Sequence, residues 1–122
     1  MELYRLIDPE TGKIGHAEMT VNGALFMISD EYPAFNKAPS TLGGTTMRLC
    51  LQVEDVDDSF QHAIAAGATS IRPPSDQFYG HRSGCLRDPF GHEWMLFQEK
   101  EQVKPEEMQS RWNALAAAKN KP

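Results

Sequence analysis

The sequence lacks the features that would direct it to a membrane or to nucleic acid. No apolar run approaches the roughly 20 residues that a membrane-spanning helix needs, so we expect no membrane partner. The N-terminal residues lack the basic start and apolar stretch of a signal peptide, which predicts a cytoplasmic location. The net charge is −5 and the basic residues form no block. Nucleic-acid-binding proteins concentrate Lys and Arg on one surface, so we expect no nucleic-acid partner.

Cysteine and catalytic motifs are also scarce. Only Cys50 and Cys85 occur, without the CxxC spacing of redox or metal motifs. In a reducing compartment both are expected to remain thiols, and we interpret them as core or pocket-lining residues. The sequence has no glycine-rich phosphate-binding loop and no serine in a recognisable nucleophile motif. These absences disfavour phosphoryl transfer and acyl transfer.

The N-terminal part of the chain shows the pattern of three strands, at residues 2–7, 13–21 and 24–29. Residues 13–21 alternate between polar and apolar side chains, which is the period of a half-buried strand. The Asn22-Gly23 dipeptide predicts a tight hairpin turn, because a type I′ turn needs positive φ at both central residues. A loop is predicted for residues 30–44, which are rich in Pro, Asn, Ser and Gly.

Residues 45–99 predict a strand, a helix and three further strands. The strands are expected at 45–53, 68–72, 82–88 and 92–98. The helix should begin after Asp55, which is a favourable N-cap residue. Pro73-Pro74 is expected to end the second of these strands, because proline cannot donate a backbone hydrogen bond.

A last helix is predicted for residues 105–119, with Pro105 at its first position. Its apolar stripe consists of Met108, Trp112 and Leu115. This helix is therefore one candidate to cover an otherwise exposed apolar sheet face.

Two segments of the chain resemble each other. Residues 23–29 (Gly-Ala-Leu-Phe-Met-Ile-Ser) match residues 91–97 (Gly-His-Glu-Trp-Met-Leu-Phe), and Met27 and Met95 occupy equivalent positions. Each segment follows a strand and a turn. The match indicates an internal repeat whose unit contains three consecutive strands.

We interpret the chain as one α+β domain, residues 1–122, that contains two βαβββ modules and a C-terminal helix. The second module is complete at residues 45–99. The first, at residues 2–29, lacks its initial strand and helix. The sequence leaves open whether Met1 is the natural start or the start of a truncated chain.

Seven short motifs carry a resemblance to a known family. They are Gly15–Met19, Phe26–Glu31, Val53–Asp57, Ala65–Ala68, Asp76–Gly80, Arg82–Gly84 and Asp88–His92. With these motifs the chain resembles the glyoxalase/bleomycin-resistance (vicinal oxygen chelate) superfamily over nearly all of residues 2–99, and within it the PhnB-like branch. The run from Asp76 to His92 is the most specific part. The resemblance implies that each βαβββ module curls its sheet into a half-barrel cup.

The resemblance also tells us where a metal would be held. Metal-using members of the family bind a divalent ion through His and Glu side chains on the first and last strands of the modules. Here the first-strand slot of the complete module matches Cys50, and the last-strand slots match Met95 and Met27. One thiol and two thioethers are poor ligands for a glyoxalase-type metal, so we expect no metal site and no cofactor. His16 and Glu18 form an alternative ligand pair, although we favour a solvated polar sheet face.

The inward positions of the complete module predict a pocket for a small-molecule ligand. Its expected lining residues are Arg48, Cys50, Gln52, Glu93, Met95 and Phe97, with Tyr79 and Arg82 at the rim. Such a mixture of apolar groups and a few polar groups is typical of ligand pockets. The resemblance implies that the ligand is bound without chemical conversion, as in bleomycin-resistance proteins.

Two other classes of function stay open. One is a non-catalytic interaction module whose purpose is assembly, which the incomplete first module favours. The other is a metal-dependent lyase, isomerase or dioxygenase, whose site would be rebuilt from His16, Glu18 or a partner chain.

The incomplete first module also predicts self-association. One face of its sheet should be covered by a helix that this sequence does not contain. Burial of apolar surface contributes about 25 cal/mol per Å², so an uncovered helix-sized face leaves several kcal/mol unrealised. That is comparable with the stability of a whole domain. We therefore expect a homodimer, with exchange of elements between the two chains as one way to form it.

Overall fold

The computed structural model describes residues 1–119, which form two compact units. The first unit, Met1–Ala38, contains strands β1 (Glu2–Ile7), β2 (Ile14–Val21) and β3 (Ala24–Ile28). They form an antiparallel sheet in the order β1-β2-β3. All three predicted strands are thus present at nearly their expected bounds. The predicted hairpin turn is confirmed, because Asn22 has a φ of 52° and Gly23 a φ of 78°.

The second unit begins at Pro39 and has the βαβββ order expected for the complete module. Its elements are α1 (Pro39–Leu42), β4 (Arg48–Gln52), α2 (Val56–Ala65), β5 (Thr69–Asp76), β6 (His81–Arg87), β7 (Glu93–Glu99) and α3 (Pro105–Lys119). The four strands form one sheet in the order β4-β7-β6-β5. The outer strand β4 runs parallel to β7, and the other two pairings are antiparallel. The predicted α+β class is therefore correct.

Helix α2 begins where the sequence predicted, because Asp55 caps it. The backbone of Asp55 is extended and its Oδ1 accepts a hydrogen bond from the Asp58 amide at 3.1 Å. The helix packs its apolar side onto one face of the four-stranded sheet. The buried core consists of Val56, Phe60, Leu86 and Leu96. Complete burial of Val56 and near-complete burial of Phe60 fix this helix on the sheet.

Three details of the second unit differ from the sequence-based expectation. The predicted loop contains the short helix α1, and β4 begins at Arg48 rather than at residue 45. Pro73-Pro74 does not end β5, which continues to Asp76. Two prolines are tolerated there because β5 is an outer strand and its register shifts between Arg72 and Ser75.

The connection between β5 and β6, residues 77–80, packs against the segment that follows β7. The carbonyl oxygen of Gly80 accepts hydrogen bonds from the amides of Lys100 (2.9 Å) and Glu101 (3.1 Å). Helix α3 joins this contact, since Arg111 Nη1 donates to the Phe78 carbonyl at 3.0 Å. The ring of Trp112 lies 5.6 Å from that of Phe78. Within residues 1–119, no helix is both long and apolar enough to cross a membrane.

Gly80 makes this packing possible and provides a test of it. Its φ is 96°, and a Cβ at this position would lie 2.3 Å from the Glu101 carbonyl oxygen. Gly80→Ala should lower the free energy of unfolding by roughly 2–4 kcal/mol, from backbone strain plus the steric clash. Gly43→Ala is the control, because Gly43 has a φ of 80° but open space around its Cβ position. It should cost only about 1 kcal/mol. Urea denaturation measures both, and equal losses would contradict the described contact.

Candidate functional site

The strand register divides the side chains of the four-stranded sheet between two faces. One face, here called the helix face, includes Leu51, Leu86 and Leu96 and packs against α2. The other is called the polar face. It carries Arg48, Cys50 and Gln52 from β4, Glu93, Met95 and Phe97 from β7, His81, Ser83, Cys85 and Arg87 from β6, and Arg72 and Ser75 from β5.

Six of the eight predicted site residues lie together on the polar face. The parallel pairing of β4 with β7 sets them opposite one another as Arg48 with Glu93, Cys50 with Met95, and Gln52 with Phe97. Paired residues of neighbouring strands share a face, so Cys50 and Met95 point to the same side of the sheet. Cys50 is exposed, whereas Cys85, the β6 partner of Met95, is buried.

An ion-pair cluster occupies one end of the polar face. Arg48 Nη2 donates to Glu93 Oε1 at 2.9 Å, and Arg87 Nη2 lies 3.4 Å from Glu93 Oε2. The hydrogen bond from Arg48 is the main reason why the pKa of Glu93 lies below its ordinary value of 4.5. Arg48 also reaches across β7, and its Nη1 lies 3.5 Å from Cys85 Sγ.

Arg72 is a prominent residue of the polar face that the sequence did not reveal. Its guanidinium donates to the Ser83 carbonyl (2.7 Å), Ser83 Oγ (2.8 Å) and Ser75 Oγ (2.9 Å), and it lies 3.7 Å from Cys85 Sγ. Strict alternation along the predicted strand gives Arg72 the same side as Ser70, whereas a register shift between them puts Ser70 on the helix face and Arg72 on the polar face. The alternation of residues 81–87 was an available signal for its partners, since it puts Ser83 opposite Phe97 and Cys85 opposite Met95 on the polar face.

Aromatic rings occupy the other end of the polar face. The imidazole of His81 stacks on Phe97, with ring centroids 4.8 Å apart and planes inclined by 16°. Tyr79 meets the edge of His81 at 5.2 Å, so it lies at the end of the face. The sequence pattern predicted this strand from residue 82, whereas in the structure β6 begins one residue earlier, at His81.

Arg82 does not lie with the other predicted site residues. Side chains alternate along β6, so Arg82 shares the helix face with Gly84 and Leu86. Its Nε and Nη2 atoms donate to the two carboxylate oxygens of Asp57 on α2, at 2.8 and 2.9 Å. Its Nη1 donates to Asp76 at 3.2 Å. Arg82 thus ties α2 to the sheet instead of lining the rim of a pocket.

The alternative ligand pair, His16 and Glu18, lies in the first unit. His16 Nε2 is 2.8 Å from Glu18 Oε2, and the Tyr4 hydroxyl donates to the same carboxylate. The hydrogen bond from Tyr4, followed by that from His16, lowers the pKa of Glu18. The carboxylate is therefore held by protein donors.

The residues in the family's metal slots do not fit a divalent ion of the glyoxalase type. Those on the polar face are the thiol of Cys50 and the thioether of Met95, and the slot in the first unit holds Met27. Such ions prefer imidazole and carboxylate ligands. Across residues 1–119 we find no group of three His, Cys, Asp or Glu side chains arranged to hold a metal.

Comparison with known sequences gives a consistent set of relatives. The profile of the glyoxalase/bleomycin resistance protein/dioxygenase superfamily matches residues 1–96. An uncharacterised protein of Mycobacterium bovis is 40% identical over 114 residues, which cover 90% of this chain and 74% of the relative. An uncharacterised protein of Mycobacterium tuberculosis has the same identity, and the match covers 66% of its length.

Solved structures show the same relationship. TioX from Micromonospora sp. ML1 is 32% identical, with a TM-score of 0.59 over 80% of this chain and 77% of TioX. Protein PA1353 from Pseudomonas aeruginosa is 26% identical, with a TM-score of 0.59 over 77% of this chain and 69% of that one. A PhnB protein from Bacillus cereus, at 24% identity, shares the fold with a TM-score of 0.58 over 80% of this chain and 78% of its own.

The ion-pair cluster predicts a measurable change in the titration of Glu93. Arg48→Met should raise the pKa of Glu93 towards 4.5, because the main stabilising hydrogen bond to its carboxylate is lost. Arg87→Met, the matched control, should raise it less, since that contact is longer and contributes less. Carboxyl ¹³C NMR titration measures both shifts. A larger effect of the Arg87 substitution would contradict the described geometry.

The same pair predicts the direction of a stability change with pH. Because the pKa of Glu93 is lowered by folding, its contribution to stability is present above about pH 4.5 and is lost as the pH falls through its folded value. The stability difference between the wild type and Glu93→Gln should therefore shrink as the pH falls from 7 to 3. A difference that stays constant or grows would contradict this assignment.

Proposed function

Because the chain belongs to the glyoxalase/bleomycin resistance protein/dioxygenase superfamily, we propose that it binds a small organic molecule on the polar face. The observation that carries the proposal is the register of β4 and β7, which sets six predicted lining residues side by side. Their composition supports it further. Met95 and Phe97 offer apolar contact area, while Arg48 and Glu93 offer polar groups that would orient a ligand.

We propose binding without metal-assisted conversion of the ligand. The support is the chemistry of the available donors, which on the polar face are the thiol of Cys50 and the thioether of Met95. In the first unit, Glu18 is hydrogen-bonded by Tyr4 and His16, an arrangement that suits a polar sheet surface. We also propose a cytoplasmic location. The two free cysteines are consistent with it, because thiols stay reduced in that compartment.

A thermal-shift screen with aromatic and carbonyl metabolites tests this proposal. A ligand present at ten times its Kd stabilises the folded state by about 1.4 kcal/mol, which raises Tm by roughly 5 °C for a chain of this size. Cys50→Trp should abolish the shift, because an indole at this exposed position would cover the centre of the polar face.

Ser70→Trp is the matched control for that substitution. Ser70 is also exposed and also on an outer strand, but its β6 partner is Leu86 on the helix face. This variant should keep the full shift. A library without any stabilising compound, or hits that Cys50→Trp leaves unchanged, would contradict the proposal.

A second candidate role is self-association through the first unit. One face of its sheet carries Tyr4, Leu6, Leu25 and Met27 around the His16–Glu18 pair. Leu6 is 58% and Met27 is 66% exposed, which is unusual for large apolar side chains on a sheet. We propose that this face, here called the first-unit face, contacts a second copy of the chain, because burial of these side chains would be favourable.

Light scattering coupled to size-exclusion chromatography tests the association. At micromolar concentration the wild type should have twice the 13.7 kDa mass of the chain. Replacement of both Leu6 and Met27 by Asp should give a monomer, since charges would lie in the contact. Phe35→Asp, in a loop of the same unit and 88% exposed, should leave the dimer intact. A compact wild-type monomer would contradict the proposal.

A further inference from the structure

Three arginines and one carboxylate crowd one end of the polar face. Arg48 and Arg87 share Glu93 as their acidic partner. Arg72 has only uncharged acceptors among the described residues, on Pro73, Ser75, Ser83 and Cys85. This group of four side chains therefore has an excess of positive charge.

Two of these guanidinium groups converge on one sulfur atom. Arg48 Nη1 lies 3.5 Å and Arg72 Nη2 3.7 Å from Cys85 Sγ, although they come from strands on opposite sides of that residue. A thiol sulfur is a weak acceptor, whereas a carboxylate oxygen accepts a much stronger charge-assisted bond from arginine. Two cations so close together repel each other unless an anion lies between them. The position above Cys85 is therefore suited to an anionic group.

An aromatic surface lies at a fixed distance from this point. Met95, the partner of Cys85, is two residues from Phe97 along β7, which corresponds to about 7 Å. The stacked rings of Phe97 and His81 are each only half-buried. The separation is comparable with that between the ring and the carboxylate oxygens of a small aromatic acid. Met95 lies between the two points and offers an adaptable apolar contact.

We infer that the ligand of the polar face is a planar aromatic molecule with a carboxylate group. The carboxylate lies between Arg48 and Arg72 above Cys85, and the ring lies against Phe97 and His81. Arg48 is the more accessible of the two arginines, with 44% of its side chain exposed. This inference rests on the proposed function and names the chemical class of the ligand.

Titration with 2-naphthoate and with 2-naphthamide tests the inference, because the two probes differ in charge but little in shape. Amide ¹H–¹⁵N NMR spectra of the full chain follow both. The wild type should bind the carboxylate at least tenfold more tightly than the amide. Arg48→Met should weaken naphthoate binding at least tenfold and naphthamide binding far less, because a neutral amide gains much less than a carboxylate from the guanidinium charge. A substitution that only lowered the stability of the protein would weaken the binding of both probes equally.

Arg82→Met is the control, since it removes the same charge from the helix face, where Arg82 is paired with Asp57. It should leave naphthoate binding unchanged. Arg72→Lys tests the second guanidinium with its charge retained, because Arg72 also holds Ser75 and Ser83 in place. It should weaken naphthoate several-fold, since the compact ammonium of lysine cannot contact the two serines and also reach the position above Cys85 as the planar guanidinium does.

The outcomes separate the inference from the proposed function. Equal affinity for the two probes, or an effect of Arg82→Met as large as that of Arg48→Met, would overturn the aromatic-acid inference alone. Failure of both probes to bind, while neutral compounds from the thermal-shift library bind the polar face, would also overturn it alone. Failure of both probes and of the whole library would overturn the proposed function as well.

Discussion

The parallel pairing of β4 with β7 is the constraint on which the polar face depends. This pairing sets Cys50 beside Met95 and Arg48 beside Glu93. A shift of one residue would turn the whole row of β4 side chains to the helix face, where leucines now pack against α2. The core prevents such a shift, because Leu51 must lie with Leu96 and the buried residues of α2. The same apolar packing that stabilises the fold therefore fixes the position of each polar side chain.

The polar face brings together charged and polar groups that would not stabilise an apolar core. Arg48 and Arg72 meet over a buried thiol, and the serine hydroxyl that Arg72 holds is completely buried. Arg72 is half-buried and so loses part of its hydration, and a thiol compensates for little of that loss. Every buried polar side-chain atom among the described residues nevertheless has a partner. A network that is satisfied yet rich in cations is what one expects where a ligand supplies the missing negative charge.

Much of this architecture could be predicted from the sequence, because the relevant signals are local. The Asn22-Gly23 turn, the Asp55 cap and the alternation along β4 depend only on nearby residues. The contribution of Arg72 could not be predicted in the same way. It depends on a register shift between Ser70 and Arg72, which turns Arg72 to the polar face although Ser70, two residues earlier, lies on the helix face.

Two arginines show the same limit of prediction from sequence. Arg82 was predicted to lie at the rim of the pocket, whereas Arg72 was given no role in it. Arg82 and Arg72 look alike in the sequence, but one lies on a strand face that meets α2 and the other opposite Cys85. Side-chain direction along β6 and β5 depends on the pairing of the strands and on irregularities such as the register shifts in β5, which sequence patterns do not define. A displacement of one residue exchanges the two faces. Arg82 was assigned to the rim without a pairing for β6, and its pairing with Gln98 places it on the helix face.

Methyl NMR of the methionines is the most direct test that the polar face is the binding surface. The chain has six methionines, so six methyl signals report on different positions. Met95 lies in the middle of the polar face, between Cys50 and Cys85, whereas Met108 lies on α3. A bound ligand should shift the Met95 methyl signal strongly and leave that of Met108 in place. A saturable ligand that shifts Met108 and leaves Met95 unchanged would contradict the account.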